Sequence, residues 1–178
     1  MTKIRVATDW LAGCSGCHMS LLDMDEKLVE LMKRIEITSS PITDLKTPHQ
    51  VDVAIVEGAV ANSANVKVLK ELREQAKTLI ALGDCACFGG LPTLRNPLDA
   101  TEVLRRGYVE TTSTEDGHIP TDSELARLLD DVLPINQIVK VDVYIPGCPP
   151  SAKAIYYALS ELLEGRVPVL TGDNLRFD

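Results

Sequence analysis

Two short apolar runs without polar alternation, 53–56 and 79–82, constrain the fold of this chain more than any other feature. Such runs are typical of strands buried on both faces, as in a parallel sheet that is covered by helices. Three further strand patterns and five helical patterns alternate with them. The predicted strands are 4–11, 35–38, 52–56, 78–82 and 139–145, and the predicted helices are 17–32, 64–76, 99–106, 121–133 and 152–164. This alternation predicts a mostly parallel sheet with helices on both faces.

The connections between the strands narrow the topology further. Right-handed crossovers through five strands favour the order 2-1-3-4-5, which is that of the flavodoxin-like, doubly wound α/β folds. In such sheets, ligands bind beyond the carboxyl ends of the strands. The end of the chain, 168–178, is expected to be extended.

Two of the predicted helices depend on recognisable local signals. The helix at 17–32 has an apolar stripe at spacings of three and four: Leu21, Met24, Leu28 and Leu31. The helix at 121–133 begins with a capping box, Thr121 and Glu124. Its apolar positions are Leu125, Leu128, Leu129 and Val132.

Length and charge limit the classes of protein to which the chain can belong. Its 178 residues suit a single domain, 1–178, and its net charge of -8 argues against nucleic acid as a partner, since neutralising phosphates requires a basic face. No apolar run is long enough to span a bilayer, and the first residues enter a strand pattern without a signal peptide. We therefore expect a cytoplasmic protein with no direct membrane span. In such a protein, five cysteines serve metal or redox chemistry rather than disulfides.

All five cysteines come just after predicted strands. Cys14 and Cys17 follow the first strand, Cys85 and Cys87 follow the fourth, and Cys148 follows the fifth. Because the carboxyl ends of parallel strands share one edge of the sheet, we expect these thiols to converge. The convergence strengthens the C-x-x-C pair, which by itself is also typical of redox pairs and zinc knuckles.

Several kinds of site are compatible with converging thiols. Four thiolates hold a 4Fe–4S cluster, and four also hold a structural zinc ion. Buried, unreactive thiols are a third alternative. A thioredoxin-like redox pair would leave Cys85 and Cys148 without a role. FMN is a frequent ligand of flavodoxin-like folds, but it is not expected here, because its phosphate would meet the thiolates after the first strand.

Three other side chains flank the predicted site. Glu57 ends the third strand and is either a solvated strand end or a carboxylate that tunes the potential of a cluster or relays protons. His18 is assigned to the surface of the first helix, and Trp10 is expected to pack around the site. No residue of this chain is assigned a catalytic role.

The motifs around the cysteines resemble those of the small subunits of nickel–iron hydrogenases. They are G-C-S-G-C at 13–17, V-E-G at 56–58, G-D-C-A-x-x-G-G at 83–90 and G-C-P-P at 147–150, in the same order over nearly the whole chain. The resemblance implies a flavodoxin-like domain that holds one proximal 4Fe–4S cluster through Cys14, Cys17, Cys85 and Cys148. It also implies a partner large subunit that carries the Ni–Fe site.

The first motif extends to G-C-S-G-C-H-M-S-L-L-D at 13–23, which resembles the cytoplasmic NAD-reducing (bidirectional) type. That type implies electron transfer to a diaphorase module of iron–sulfur and flavin subunits. No cysteine follows Cys148, so a single cluster is expected. The alternatives are a small subunit of a membrane-associated energy-converting hydrogenase, a complex I-like electron carrier and a zinc-stabilised structural module.

Cys87 falls on an unspecified position of its motif, so we expect Cys85 to be the ligand and Cys87 to pack as an apolar residue.

Overall fold

A five-stranded parallel sheet forms the centre of the computed structural model, which describes residues 3–46 and 48–175. Within these residues the strands are β1 (Ile4–Trp10), β2 (Ile35–Ser39), β3 (Val53–Glu57), β4 (Val60–Asn62), β5 (Thr78–Leu82), β6 (Leu128–Leu133) and β7 (Val143–Ile145). The main sheet has the order β2-β1-β3-β5-β7, and every neighbouring pair is parallel. Counted within this sheet, the order is the predicted 2-1-3-4-5, which is confirmed. β4 and β6 form a separate antiparallel pair.

Helices cover both faces of the main sheet. They are α1 (Gly16–Leu22), α2 (Glu26–Met32), α3 (Ser63–Gln75), α4 (Gly83–Phe88), α5 (Ala100–Tyr108) and α6 (Ala152–Leu163). Short 3-10 helices are formed by Leu91–Arg95, Ile135–Gln137 and Gly172–Leu175. In the part of the chain that the structure describes, no helix is long and apolar enough to cross a membrane.

The two apolar runs lie in β3 and β5, two of the three strands that have a neighbour on each side in the main sheet. Their alternate residues pack into two separate cores. Val56 belongs to the core that includes Leu69 of α3, whereas Ile55 and Leu82 belong to the core that includes Ile155 of α6. Burial on both faces explains why neither run alternates with polar residues.

The predicted helix at 17–32 is interrupted in the structure. α1 ends at Leu22 and α2 begins at Glu26, because Asp25 between them has a φ of 50° that a right-handed helix cannot include. Met24 and Leu31 of the predicted stripe are nonetheless buried. The fifth strand of the sheet is shorter than predicted, since only Val143–Ile145 pairs with β5.

The predicted helix at 121–133 is wrong. Residues 128–133 form β6, which pairs with β4 through Val60 with Leu133 and Asn62 with Leu128. Val132 is buried, but Leu125 is 51% exposed, so the leucines do not form the core stripe that a helix would need. The tail predicted to be extended contains a 3-10 turn at Gly172–Leu175, and its positions 176–178 lie outside the described residues.

Candidate metal centre

The carboxyl edge of the sheet brings four of the cysteines together. Cys14 follows β1, Cys17 lies in the first turn of α1, Cys85 lies in α4 directly after β5, and Cys148 follows β7. Their thiols interact electrostatically, since Cys14 and Cys85 act on Cys17 while Cys14 and Cys148 act on Cys85. The structure thus assembles these four residues, while their role as ligands stays a prediction.

Burial sets the protonation of two of these thiols. It is the main cause that raises the pKa of Cys17, and the neighbouring Glu57 carboxylate raises that pKa further. Burial also raises the pKa of Cys85, to which the charges of nearby thiolates and of Asp84 add. Without a metal, both groups therefore stay protonated at neutral pH, so a metal that binds them must displace protons.

Two glycines let the backbone lie close to the thiols, where the side chain of any other residue would collide with them. Gly83 has a φ of 82°, and a methyl group built on it would overlap the Sγ of Cys17. Gly90 has a φ of 53°, and a methyl group there would lie 2.8 Å from the Sγ of Cys85. Four soft thiolate donors at one sheet edge fit the requirements of an iron–sulfur cluster. Within residues 3–46 and 48–175, no group of three or more His, Cys, Asp or Glu is arranged to hold a single metal ion.

A reciprocal pair of hydrogen bonds joins the loops that carry Cys85 and Cys148. The Asp84 N–H donates to the Gly147 oxygen at 2.9 Å, and the Gly147 N–H donates to Asp84 Oδ1 at 2.7 Å. Asp84 precedes Cys85, and Gly147 precedes Cys148. The pair therefore fixes the distance between these two cysteines across the β5–β7 edge.

The loop after β1 rests on the end of β3. The Leu11 N–H donates to the Glu57 oxygen at 2.8 Å, and Ala12 and Ala59 exchange two backbone hydrogen bonds of 3.0 and 2.7 Å. Gly58 lies between these contacts with a φ of 85°, and a methyl group there would lie 2.8 Å from the Leu11 carbonyl carbon. A glycine after Glu57 is what allows this close approach.

Glu57 and His18 are both enclosed, so two of the predicted alternatives are wrong. Glu57 is 2% exposed and is not a solvated strand end, and His18 is 0% exposed and does not lie on the helix surface. The His18 N–H donates to Glu57 Oε2 at 2.9 Å, and His18 Nδ1 lies 3.3 Å from Glu57 Oε1 without hydrogen-bond alignment. Trp10 packs edge-on against the His18 ring at 5.4 Å between centroids. The contact with β3 turns this side of α1 inward.

Cys87 occupies a different environment from Cys85. It is 3% exposed and belongs to the core on the α3 side, where its Sγ donates to the Ala81 oxygen at 3.6 Å. Burial raises the pKa of Cys87 to about 12. Cys85 is only half-buried. Since the chain coils into α4 after β5, residues two positions apart point to different sides.

Comparison with known proteins gives consistent matches. Residues 14–162 match the family model described as NADH ubiquinone oxidoreductase, 20 Kd subunit. The chain is 37% identical to the NAD-reducing hydrogenase HoxS subunit delta of Cupriavidus necator, covering 99% of this chain and 86% of that protein. It is 39% identical over 97% of its length to one subunit of the F420-non-reducing hydrogenase of Methanothermobacter thermautotrophicus, and there it spans only 58% of the relative's length.

Comparison with solved structures also gives matches to hydrogenases. The chain superposes on an NAD+-reducing [NiFe]-hydrogenase crystallised in the H2-reduced state with a TM-score of 0.96 and 44% identity, covering 99% of this chain and all of the matched one. A [NiFeSe]-hydrogenase from Dm. baculatum matches with a TM-score of 0.59 at 17% identity, covering 98% of this chain and 69% of the matched one, which shows a shared fold alone.

Proposed function

The chain belongs to the NADH ubiquinone oxidoreductase 20 Kd subunit family, and from that premise we propose that it is the electron-transfer small subunit of an NAD-reducing nickel–iron hydrogenase. The resemblance to hydrogenase small subunits that the motifs indicated is confirmed by these matches. The proposed ligands of one 4Fe–4S cluster are Cys14, Cys17, Cys85 and Cys148. The observation that carries the proposal is the meeting of these four thiols at one edge of the sheet.

The cluster, when bound, supplies one-electron transfer, and the chain's own residues prepare the place for it. The raised pKa values of Cys17 and Cys85 mean that iron binding releases protons from these thiols. Gly83 and Gly90 let the backbone lie close to these thiols, since a side chain at either position would collide with them. Glu57 lies against Cys17, where a carboxylate charge influences any cluster that this thiol binds.

The proposed partners are a large subunit that carries the Ni–Fe site and a diaphorase module with iron–sulfur and flavin groups. A single-cluster relay has to receive electrons on one side and release them on another. Three strongly exposed apolar side chains follow Cys85 closely: Phe88 at 65%, Leu91 at 67% and Leu94 at 72%. Exposed apolar surface beside a redox site is typical of a surface that another subunit covers. We assign this surface to the large subunit.

The proposed location of the complex is the cytoplasm. All five cysteines are free, and thiols persist where glutathione and thioredoxin keep them reduced. The test is fractionation of native cells at ordinary salt. Recovery of the complex only with detergent would contradict this part of the proposal and favour the energy-converting type.

Anaerobic co-purification with metal and sulfide analysis tests the function. We expect about four iron and about four sulfide per chain, the content of one 4Fe–4S cluster. We also expect the reduced complex to give an EPR signal after exposure to hydrogen, and NAD reduction to depend on hydrogen. One zinc per chain without sulfide would instead identify a structural module. A monomer that keeps its full cluster when made alone would contradict the partner proposal.

A further inference from the structure

Glu57 contacts both ends of the loop that carries Cys14 and Cys17. Its main-chain oxygen accepts a hydrogen bond from the Leu11 N–H at 2.8 Å, just after β1. Its side-chain Oε2 accepts a hydrogen bond from the His18 N–H at 2.9 Å, in the first turn of α1. The two contacts lie on either side of the cysteines, so one residue of β3 spans the loop.

The first turn of α1 lacks an acceptor of its own. Ser15 at the N-cap has a φ of 63° and makes no side-chain cap hydrogen bond, and the first turn contains no acidic residue. The first N–H groups of a helix have no intrahelical acceptor, and a capping side chain usually accepts from the second or third of them. His18 is the third residue of α1. Glu57 therefore supplies, from a neighbouring strand, the bond that the local sequence does not provide.

The Glu57 carboxylate is also enclosed on its other side. Its Oε1 lies 3.3 Å from His18 Nδ1, and neither residue exposes more than 2% of its surface. The Trp10 ring packs edge-on against the His18 ring. A side chain held in this way cannot turn toward water, so its contact with α1 is fixed by packing as well as by the hydrogen bond.

We propose that Glu57 is a positioning residue that clamps the C-x-x-C loop at two points and thereby sets the placement of the Cys14 and Cys17 thiols. The property that matters is the reach of its side chain to the His18 N–H rather than its charge. The consequence for a cluster rests on the proposed function, whereas the clamp itself belongs to the chain alone.

Two substitutions separate reach from charge. Glu57→Gln keeps the length of the side chain and an oxygen acceptor but removes the charge. Glu57→Asp keeps the charge but shortens the side chain by about 1.5 Å, which takes its oxygens beyond hydrogen-bond distance of the His18 N–H. Asp99→Ala is the matched control, because Asp99 caps α5 through the N–H groups of Thr101 and Glu102, and α5 carries no cysteine.

Hydrogen–deuterium exchange of the peptide that covers α1, measured on the intact complex, reports on the clamp. We expect exchange at His18 to be about tenfold faster in Glu57→Asp, as for the loss of a capping bond. In Glu57→Gln we expect exchange within about threefold of the unsubstituted protein, because the acceptor is kept. Asp99→Ala should speed exchange in α5 and leave α1 unchanged.

Iron content and the EPR signal of the reduced complex report on the consequence for the cluster. We expect Glu57→Asp to lower the iron content and alter the signal. We expect Glu57→Gln to keep the iron content, while the loss of the charge beside Cys17 shifts its signal. The clamp is overturned if Glu57→Asp keeps normal exchange, or if Glu57→Gln is as impaired as Glu57→Asp. An unsubstituted complex that lacks iron but protects α1 would refute the proposed function and still support the clamp.

Discussion

Replacing Gly90 by alanine tests how closely the backbone packs around Cys85. Gly90 has φ 53° and ψ −149°, a conformation that residues with a side chain avoid. The added methyl group would lie 2.8 Å from the Sγ of Cys85 and 2.9 Å from both its Cα and its N. Two of these three atoms belong to the backbone of α4 and cannot rotate away. Relief of the contact therefore has to move Cys85 itself.

Two costs add in the Gly90→Ala variant. A residue with a side chain in a sparsely populated conformation costs about 1–3 kcal/mol. Overpacking by a methyl group costs about 1–3 kcal/mol more. The free energy of unfolding should fall by about 2–6 kcal/mol, which lowers Tm by about 4–24 °C at roughly 2–4 °C per kcal/mol for a chain of this size. Because Cys85 is displaced, we also expect at least half of the iron to be lost.

Two other glycines separate these contributions, with Tm from differential scanning fluorimetry and iron per chain as the assays. Gly165 has a φ of 73° but no atom within 4 Å of an added methyl group, so Gly165→Ala should lose only about 1–2 kcal/mol and keep its iron. Gly107, within α5, has neither strain nor a neighbour, so Gly107→Ala should gain about 0.5–1 kcal/mol. If Gly90→Ala matches Gly165→Ala in both assays, the reasoning about Cys85 is refuted.

Two further predictions concern the other cysteine of α4 and a charged cluster. Cys85→Ala should lose the cluster and hydrogen-dependent NAD reduction, whereas Cys87→Ala should keep both, as iron analysis and EPR will show; the reverse pattern would exchange their roles. Asp52 accepts hydrogen bonds from Lys77 and Arg5, which hold its pKa well below the usual range. A lowered pKa stabilises the fold above the unfolded-state pKa of about 3.9, and this stabilisation is lost as pH falls below it. Asp52→Asn should therefore lose about 1 kcal/mol of stability at pH 7, which lowers Tm by about 2–4 °C. The difference in Tm from the unsubstituted protein should shrink below about pH 4. A difference in Tm that does not depend on pH would argue against this assignment.

The main sheet was predictable because its signals are local. The runs in β3 and β5 are apolar on both faces, and parallel pairing with right-handed crossovers leaves few strand orders. The β4–β6 pair was not predictable for the opposite reason. Thr121 and Glu124 make a helix-start pattern within the sequence itself, whereas the pairing of Leu128 with Asn62 joins distant segments. The long-range pairing outweighs the local preference.

The candidate site also has features that the sequence predicts and features that depend on long-range contacts. Convergence of Cys14, Cys85 and Cys148 followed from the rule that parallel strands end at one edge. The burial of Glu57 and His18 did not, because it arises from a hydrogen bond between positions 39 residues apart. The missing cap of α1 is likewise seen only in the structure, where Ser15 has a φ of 63° and makes no side-chain cap hydrogen bond.

The cysteines that meet at the sheet edge are far apart in the order of synthesis. Cys14 and Cys17 are made early and Cys148 late, so at roughly 5–20 residues per second about 7–27 s separate them. During that interval Cys85 joins the first pair but Cys148 is still missing, so the proposed ligand set is incomplete, and soft thiolates also bind zinc and copper(I). Under the proposed assignment, the full set of iron ligands exists only after translation has passed Cys148. Until then, the growing chain presents an incomplete set of thiols, and the metal ion that it binds depends on which ions the cell leaves accessible.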